Sequence, residues 1–444
     1  MRYAVISRGL PFGEMLKEVQ TLGAKNIKVA QVSEQVFCDL EEGAAAKLSN
    51  IPGILVKPVG EVRSVDQLAP PKEIVPPSPV SIAQGAYGWG YISQLSRFYQ
   101  ARDYINPPAL GGGYTVAILD SGIRKTHVSL RGKVLYEANF SDSPTADDIY
   151  DHGTAVAYVA AGGRHIYGEE AGAGPGINLF NIKVLNDEGM GSTESVVLGI
   201  EEVIRLQNEA QERGEGPLSP MFPNMINLSL GSPDDGDPDN PIRVACRRAI
   251  REDIRISTVA AAGNSGPGAG SIATPAADPL VIAVGALNVE PYNILDYSSR
   301  GPTKEGYIKP DLVFFGDRLL LASAKSDTAF SVRSGTSFAA PAIAGVSVLV
   351  KDLVMRITGD MSLIYAPMEK VFELFPPSCR KPSGAPMGKD NAYGFGMPFG
   401  DLILKMFNPP SPTSQMIPSL SPILGLGLAG MVMGGMVKSL KERR

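Results

Sequence analysis

The chain has 444 residues, 44% of them apolar and 20% charged, which suits one large packed domain with smaller attachments. Its 41 Lys and Arg against 46 Asp and Glu leave a net charge of −5, without the basic field that holds nucleic acid, so no nucleic-acid partner is expected. Three widely separated cysteines, Cys38, Cys246 and Cys379, form no C-x-x-C pair and have no histidine at ligand spacing. They argue against a zinc site and against a disulfide framework.

The N-terminal stretch MRYAVISRGLPFGEM has no continuous apolar core of the kind a secretory signal needs, because Arg8, Pro11 and Glu14 interrupt it. A cytoplasmic location is the expectation. Hydrophobic periodicity over residues 1–62 predicts strands at 3–7, 27–31, 36–40 and 53–59 and helices at 12–22 and 41–49. The order β-α-β-β-α-β is that of a small ferredoxin-like α+β domain. Five prolines in APPKEIVPPSP (69–79) forbid a helix or a central strand, so residues 63–84 are predicted to be an exposed linker.

From 85 to 407, strand-like runs apolar on both faces recur at 114–120, 178–185, 225–230, 256–263 and 280–287, and helix-length segments separate several of them. Such runs predict an α/β domain whose mainly parallel sheet is covered by helices on both sides. The remaining 408–444 is a Pro- and Gly-rich apolar tail, uncharged from Ile417 to Val437 and followed by KSLKERR. Pro418, Pro422 and five glycines make it marginal as a membrane span, leaving two readings open: a segment that contacts membrane, or one that docks on protein.

Three short strings carry chemistry: AILDSGI (117–123), YDHGTAVA (150–157) and RSGTSFAAPAIAG (333–345). Asp120 closes a predicted strand and so stands at the carboxyl end of a parallel sheet, where open α/β folds form their crevice. His152 precedes an apolar helix. Ser337 opens another, whose early Pro341 is tolerated in the first turns. Ser337 is either a helix cap or a nucleophile. A serine hydroxyl becomes nucleophilic only when an imidazole takes its proton and a carboxylate holds that imidazole, so the three residue types are needed together.

In their residues and their Asp, His, Ser order these strings closely resemble the subtilisin-like serine proteases, the subtilases, over roughly Trp89 to Phe407. The resemblance implies a three-layer subtilisin-like fold and an endopeptidase with Asp120, His152 and Ser337 as its triad. It also implies an oxyanion hole built from Asn264, in VAAAGNSGP, and the backbone N–H of Ser337. Ser229, Leu230 and Gly231 of NLSLGSP and Gly189 and Gly191 of NDEGMGSTES are then the two walls that grip a polypeptide substrate as an extended strand. Ala273 stands at the pocket floor, where the family often has glycine, and a shallow pocket for small or medium apolar side chains is expected.

Ala155 and the pair Ala342-Ile343 depart from histidine-containing family strings outside the triad. The stretch 162–176 lacks the Asn and Asp of the family's tight calcium loop, so no strong calcium site is expected there; no other metal ligand set and no cofactor is expected either. Residues 1–62 are similar to subtilase propeptides in pattern and position. That similarity implies an intramolecular inhibitor and folding chaperone, cleaved in cis within 63–86 after its C-terminal strand has lain in the cleft; a permanently attached accessory domain is the alternative. Two rival activities also stand: a peptide ligase or macrocyclase using the same acyl-enzyme, and a catalytically silent peptide-binding protein.

Overall fold

The structure, a computed structural model, describes residues 1–65, 86–163, 172–251 and 253–407. The linker 69–79, the centre of 162–176 and the C-terminal tail lie outside the described residues.

The N-terminal unit runs β1 (Arg2–Ser7), α1 (Phe12–Thr21), β2 (Lys25–Ala30), β3 (Gln35–Asp39), α2 (Glu42–Ser49) and β4 (Ile54–Pro58). Its antiparallel sheet has the order β2-β3-β1-β4. Side chains alternate between the faces of a strand, and here both faces are covered. Val5, Val36 and Cys38 pack with Met15 and Val19 of α1 and Leu48 of α2. Ala4, Ala30 and Phe37 join a different core, one that includes Ile200, Ile204, Ile242 and Ala245 of the larger unit. The small sheet therefore lies between its own helices and the large domain.

After β4 comes a short strand, β5 (Glu61–Ser64). The larger unit then begins with α3 (Trp89–Leu95) and α4 (Phe98–Arg102) and continues through β6 (Thr115–Asp120), β7 (Val134–Asn139), α5 (Gly153–Ala161), β8 (Asn178–Lys183), β9 (Met190–Ser192) and α6 (Thr193–Glu212). It goes on through β10 (Pro223–Leu228), β11 (Leu230–Pro233), α7 (Pro241–Ile250), β12 (Ser257–Ala261), β13 (Ala273–Thr274), β14 (Ile282–Leu287) and β15 (Leu312–Phe315). A hairpin of β16 (Leu319–Ala322) and β17 (Phe330–Arg333) leads into the long α8 (Thr336–Thr358).

Seven strands form one parallel sheet in the order β15-β14-β12-β10-β6-β8-β7. Strand β6 is buried along its whole length, Val116 and Ile118 facing the core of α5 and α8 and Ala117 and Leu119 that of α6. Burial on both faces is why its sequence is apolar without alternation. These three layers match the fold expected from the sequence.

One detail differs from the sequence reading. The run MINLSL was expected as one strand, but β10 ends at Leu228 and β11 starts at Leu230. The break falls at Ser229, whose hydroxyl donates to the Ser337 carbonyl at 2.8 Å and draws the chain out of the central sheet. Helix α8 is long and apolar enough to cross a membrane by composition, yet it is wholly buried among the strands and is a core helix.

Candidate active site

Asp120 ends β6 and His152 immediately precedes α5, both almost fully buried. One carboxylate oxygen, Asp120 Oδ1, accepts from the Ser121 amide at 2.7 Å and lies 2.7 Å from His152 Nδ1. So close an approach of helix to strand end requires Gly153, because a Cβ there would collide with the Gly122 carbonyl and press on the Asp120 carboxylate. Gly122 in turn has φ +108°, a backbone conformation that favours glycine.

Ser337 is the second residue of α8 and is fully buried. Gly335, which has no side chain, occupies the N-cap position, so Ser337 is not the cap. The Ser337 hydroxyl lies 3.5 Å from the Ser229 carbonyl, the outer limit of a hydrogen bond. The ring of the next residue, Phe338, packs on the His152 imidazole with centroids 5.7 Å apart, which brings the starts of α5 and α8 together at the sheet's carboxyl end.

Asn264 follows β12 and is held to the start of α8. Its Oδ1 accepts from the Thr336 amide at 3.0 Å and from the Thr336 hydroxyl at 2.8 Å. This fixes the carboxamide so that Nδ2 points the other way, where it donates to the Val65 carbonyl at 2.7 Å. Thr336 thus orients Asn264, a role no sequence motif had singled out.

The chain that brings Val65 there is β5. It fills the space between β11 and β9 in a four-stranded sheet of order β13-β11-β5-β9. Ser64 pairs with Leu230 and Arg63 with Gly231 on one side; Val62 pairs with Gly191 and Arg63 with Met190 on the other, all antiparallel. The Ser64 amide donates to the Gly189 carbonyl at 3.2 Å. Leu230, Gly231, Gly189 and Gly191 therefore flank one extended strand, while Ser229 ties that wall to Ser337. Ala273 sits behind, in β13 opposite Pro233, with its methyl close to Gly231 and Gly263. The expected boundaries shift accordingly: residues 63 and 64 belong to β5 and not to the linker, and it is β5, not the 53–59 strand, that enters the cleft.

A carboxylate that sequence reasoning missed braces the Asp and His elements. Asp148 accepts from the Ser121 hydroxyl, the Asp151 amide and the Thr154 amide, each at 2.8 Å, and Ser121 Oγ in turn accepts from the Gly153 amide at 3.0 Å. Burial pushes the Asp148 carboxyl up, opposed by these hydrogen bonds. Asp151 accepts from Ser323 and pairs with Arg333 at 2.6 Å, tying the His152 loop to β17. The signal available in the sequence was three acids, Asp147, Asp148 and Asp151, crowded just before His152.

The N-terminal unit is also gripped outside the cleft. Glu201 of α6 accepts from the Val32 amide at 2.8 Å and the Ser33 amide at 2.6 Å. Glu194 pairs with Arg2 at 2.6 Å and Lys28 at 2.8 Å, and Asp237 pairs with Lys57.

The chain is similar to known proteins. The family model described as the subtilase family matches residues 111–396. The serine protease AprX of Bacillus subtilis is 32% identical over 273 residues, covering 56% of this chain and 59% of that protein. A subtilisin of a Bacillus species is 32% identical over 254 residues, 53% of this chain and 56% of its own length. The chain thus spans somewhat over half the length of these curated relatives. Among solved structures, the S41 psychrophilic protease aligns with a TM-score of 0.52 at 27% identity, over 65% of this chain and 92% of that one.

Proposed function

Because the chain belongs to the subtilase family, we propose that it is a serine endopeptidase in which Ser337 attacks, His152 carries the proton and Asp120 holds His152. The observation that carries this reading is the Asn264 carboxamide. It donates at 2.7 Å to a carbonyl of an extended strand, in the pocket where Asp120 and His152 are paired at 2.7 Å and α8 begins with Ser337.

Each residue has a physical task. Asp120 keeps the imidazole proton on Nδ1, leaving Nε2 as the base, and stabilises the imidazolium that forms. Ser337 Oγ bonds to the substrate carbonyl carbon as its proton passes to His152. The carbonyl oxygen becomes an oxyanion, stabilised by Asn264 Nδ2 and the Ser337 amide at the positive end of α8. The imidazolium then protonates the leaving amine, and water hydrolyses the ester by the reverse proton path.

In this proposal a polypeptide substrate binds where β5 lies, and the N-terminal unit acts as an intramolecular inhibitor removed by self-processing. Strand β5 takes up the pairing edges of both β11 and β9, which leaves no edge for a second strand. The test is labelling by a fluorophosphonate together with casein hydrolysis. Both are expected for the wild type and lost in Ser337→Ala; casein turnover that survives the substitution overturns the proposal.

A further inference from the structure

Resting on that reading, we propose that Asp151 is a positioning residue for the reaction. Through its pair with Arg333 it fixes the His152 imidazole against the Ser337 hydroxyl, so that losing the pair lowers turnover and leaves substrate affinity intact.

The backbone at this position is unusual. Asp151 has φ +74°, in the left-handed region that is uncommon outside glycine, and it immediately precedes His152 at the start of α5. Such a conformation persists only where the surroundings impose it. Here the Asp151 amide donates to Asp148 Oδ1 at 2.8 Å. Its carboxylate accepts from the Ser323 hydroxyl at 2.9 and 3.0 Å, from the Ala324 amide, and from Arg333 Nη2 at 2.6 Å. No triad side chain is among these partners, so Asp151 acts through the backbone it shares with His152.

The far end of the tether is what makes it bear on chemistry. Arg333 lies in β17, and only Ser334 and Gly335 separate it from α8, whose second residue is Ser337. The pair therefore joins the residue before His152 to the segment that carries the nucleophile. The same hairpin also holds the segment that follows Asp120. Arg124 Nε and the Thr126 hydroxyl donate to Asp327 at 2.7 and 2.6 Å, and the Arg124 guanidinium donates to the Ala324 carbonyl at 2.9 Å. The hairpin of β16 and β17 thus touches all three catalytic segments, and Asp151 links it to His152.

The pair is nearly dry, with the Asp151 side chain 8% exposed and that of Arg333 10%. A buried charge deprived of its partner is strongly destabilised, so truncating either side chain should let the His152 loop and the start of α8 shift against each other. A displacement of about 1 Å in a reacting group is enough to cost about 10²-fold in rate. The edges of β9 and β11 that grip an extended chain belong to other segments, so affinity should be spared.

The wild type, Asp151→Gly, Arg333→Leu, Arg333→Lys and the double variant Asp151→Gly/Arg333→Leu are expressed as full chains. Active sites are counted with a fluorophosphonate, and peptide hydrolysis per labelled site is measured beside melting temperature. Glycine accepts the left-handed backbone, so Asp151→Gly removes the tether and spares the turn. In Asp151→Gly and in Arg333→Leu kcat should fall by about 10–100-fold with KM within about threefold of wild type. The double variant should be no slower than the slower single one, because both changes cut the same link. Arg333→Lys keeps a cation opposite the carboxylate and should turn over faster than Arg333→Leu. Where one single variant fails to fold, the other decides. A melting temperature that falls while kcat per site stays within about threefold of wild type, or a loss confined to KM, overturns the proposal and leaves the protease reading standing. A wild type whose hydrolysis is no greater than that of Ser337→Ala removes that reading and the proposal with it.

Discussion

Asn264 is the most informative residue to change, because its two ends do different work. Oδ1 anchors it to the Thr336 amide and hydroxyl at 3.0 and 2.8 Å, and Nδ2 supplies the donor at 2.7 Å. In Asn264→Asp both anchors persist, but the donor becomes an acceptor that repels an oxyanion. Loss of one such donor costs about 10²–10³ in kcat, or about 2.7–4 kcal/mol, a figure carried over from subtilisin, a member of the family. The effect should fall on kcat with KM nearly unchanged, since the charge exists only in the transition state. Asn264→Ala should lose the same donor and in addition remove the acceptor of the Thr336 amide and hydroxyl, costing about 1–3 kcal/mol of stability. The assay is steady-state peptide hydrolysis of both variants beside urea unfolding. A kcat within tenfold of wild type for Asn264→Asp, or a loss confined to KM, would refute the oxyanion role.

Three further changes probe separate parts of the molecule. Asp120→Asn replaces the carboxylate by a neutral amide of the same shape, so the fold should persist while kcat drops by about 10⁴ at neutral pH, because no carboxylate charge is left to orient His152 and stabilise its imidazolium; single-turnover kinetics read it. Glu201→Gln leaves a single acceptor oxygen, so one of the charge-assisted hydrogen bonds from the Val32 and Ser33 amides becomes neutral and the other is lost where an NH2 meets an N–H, a cost of about 1–3 kcal/mol. After cleavage the N-terminal piece should dissociate at least about tenfold more readily, read by co-elution on gel filtration.

The third concerns acid stability. Burial by itself would push the Asp311 carboxyl up, but the Lys309 and Lys389 ammoniums, each 2.6 Å away, together outweigh it and hold the group down at about 2. A folded pKa below the unfolded value contributes stability that is present above the unfolded pKa of about 4 and is lost as pH falls towards 2. Melting temperature should therefore fall over that window in the wild type and less steeply in Asp311→Asn.

The parallel sheet was legible in the sequence because strands buried on both faces carry apolar runs without alternation, as Val116 to Leu119 of β6 and Val259 to Ala261 of β12 do. The Asp120, His152 and Ser337 strings were legible for a related reason. Each needs particular neighbours within a few residues, such as Gly122 and Gly153, and those requirements are local.

What stayed hidden depends on partners far apart in the chain. MINLSL reads as one strand until Ser229 meets Ser337. Asp148 reads as a solvated acid until burial brings Ser121 and Thr154 to it. The segment Glu61–Val65 carries no motif at all, and polar residues separate its two valines. It becomes a strand only because β9 and β11 offer it unpaired edges on both sides, and it acquires meaning only because that register sets the Val65 carbonyl beneath Asn264. The sequence alone determined which residues could do the chemistry, since reactivity resides in residue types and their immediate neighbours. The tertiary structure decided which carbonyl lies beneath Asn264, since strand register is set by hydrogen bonds and burial between segments that local sequence does not connect.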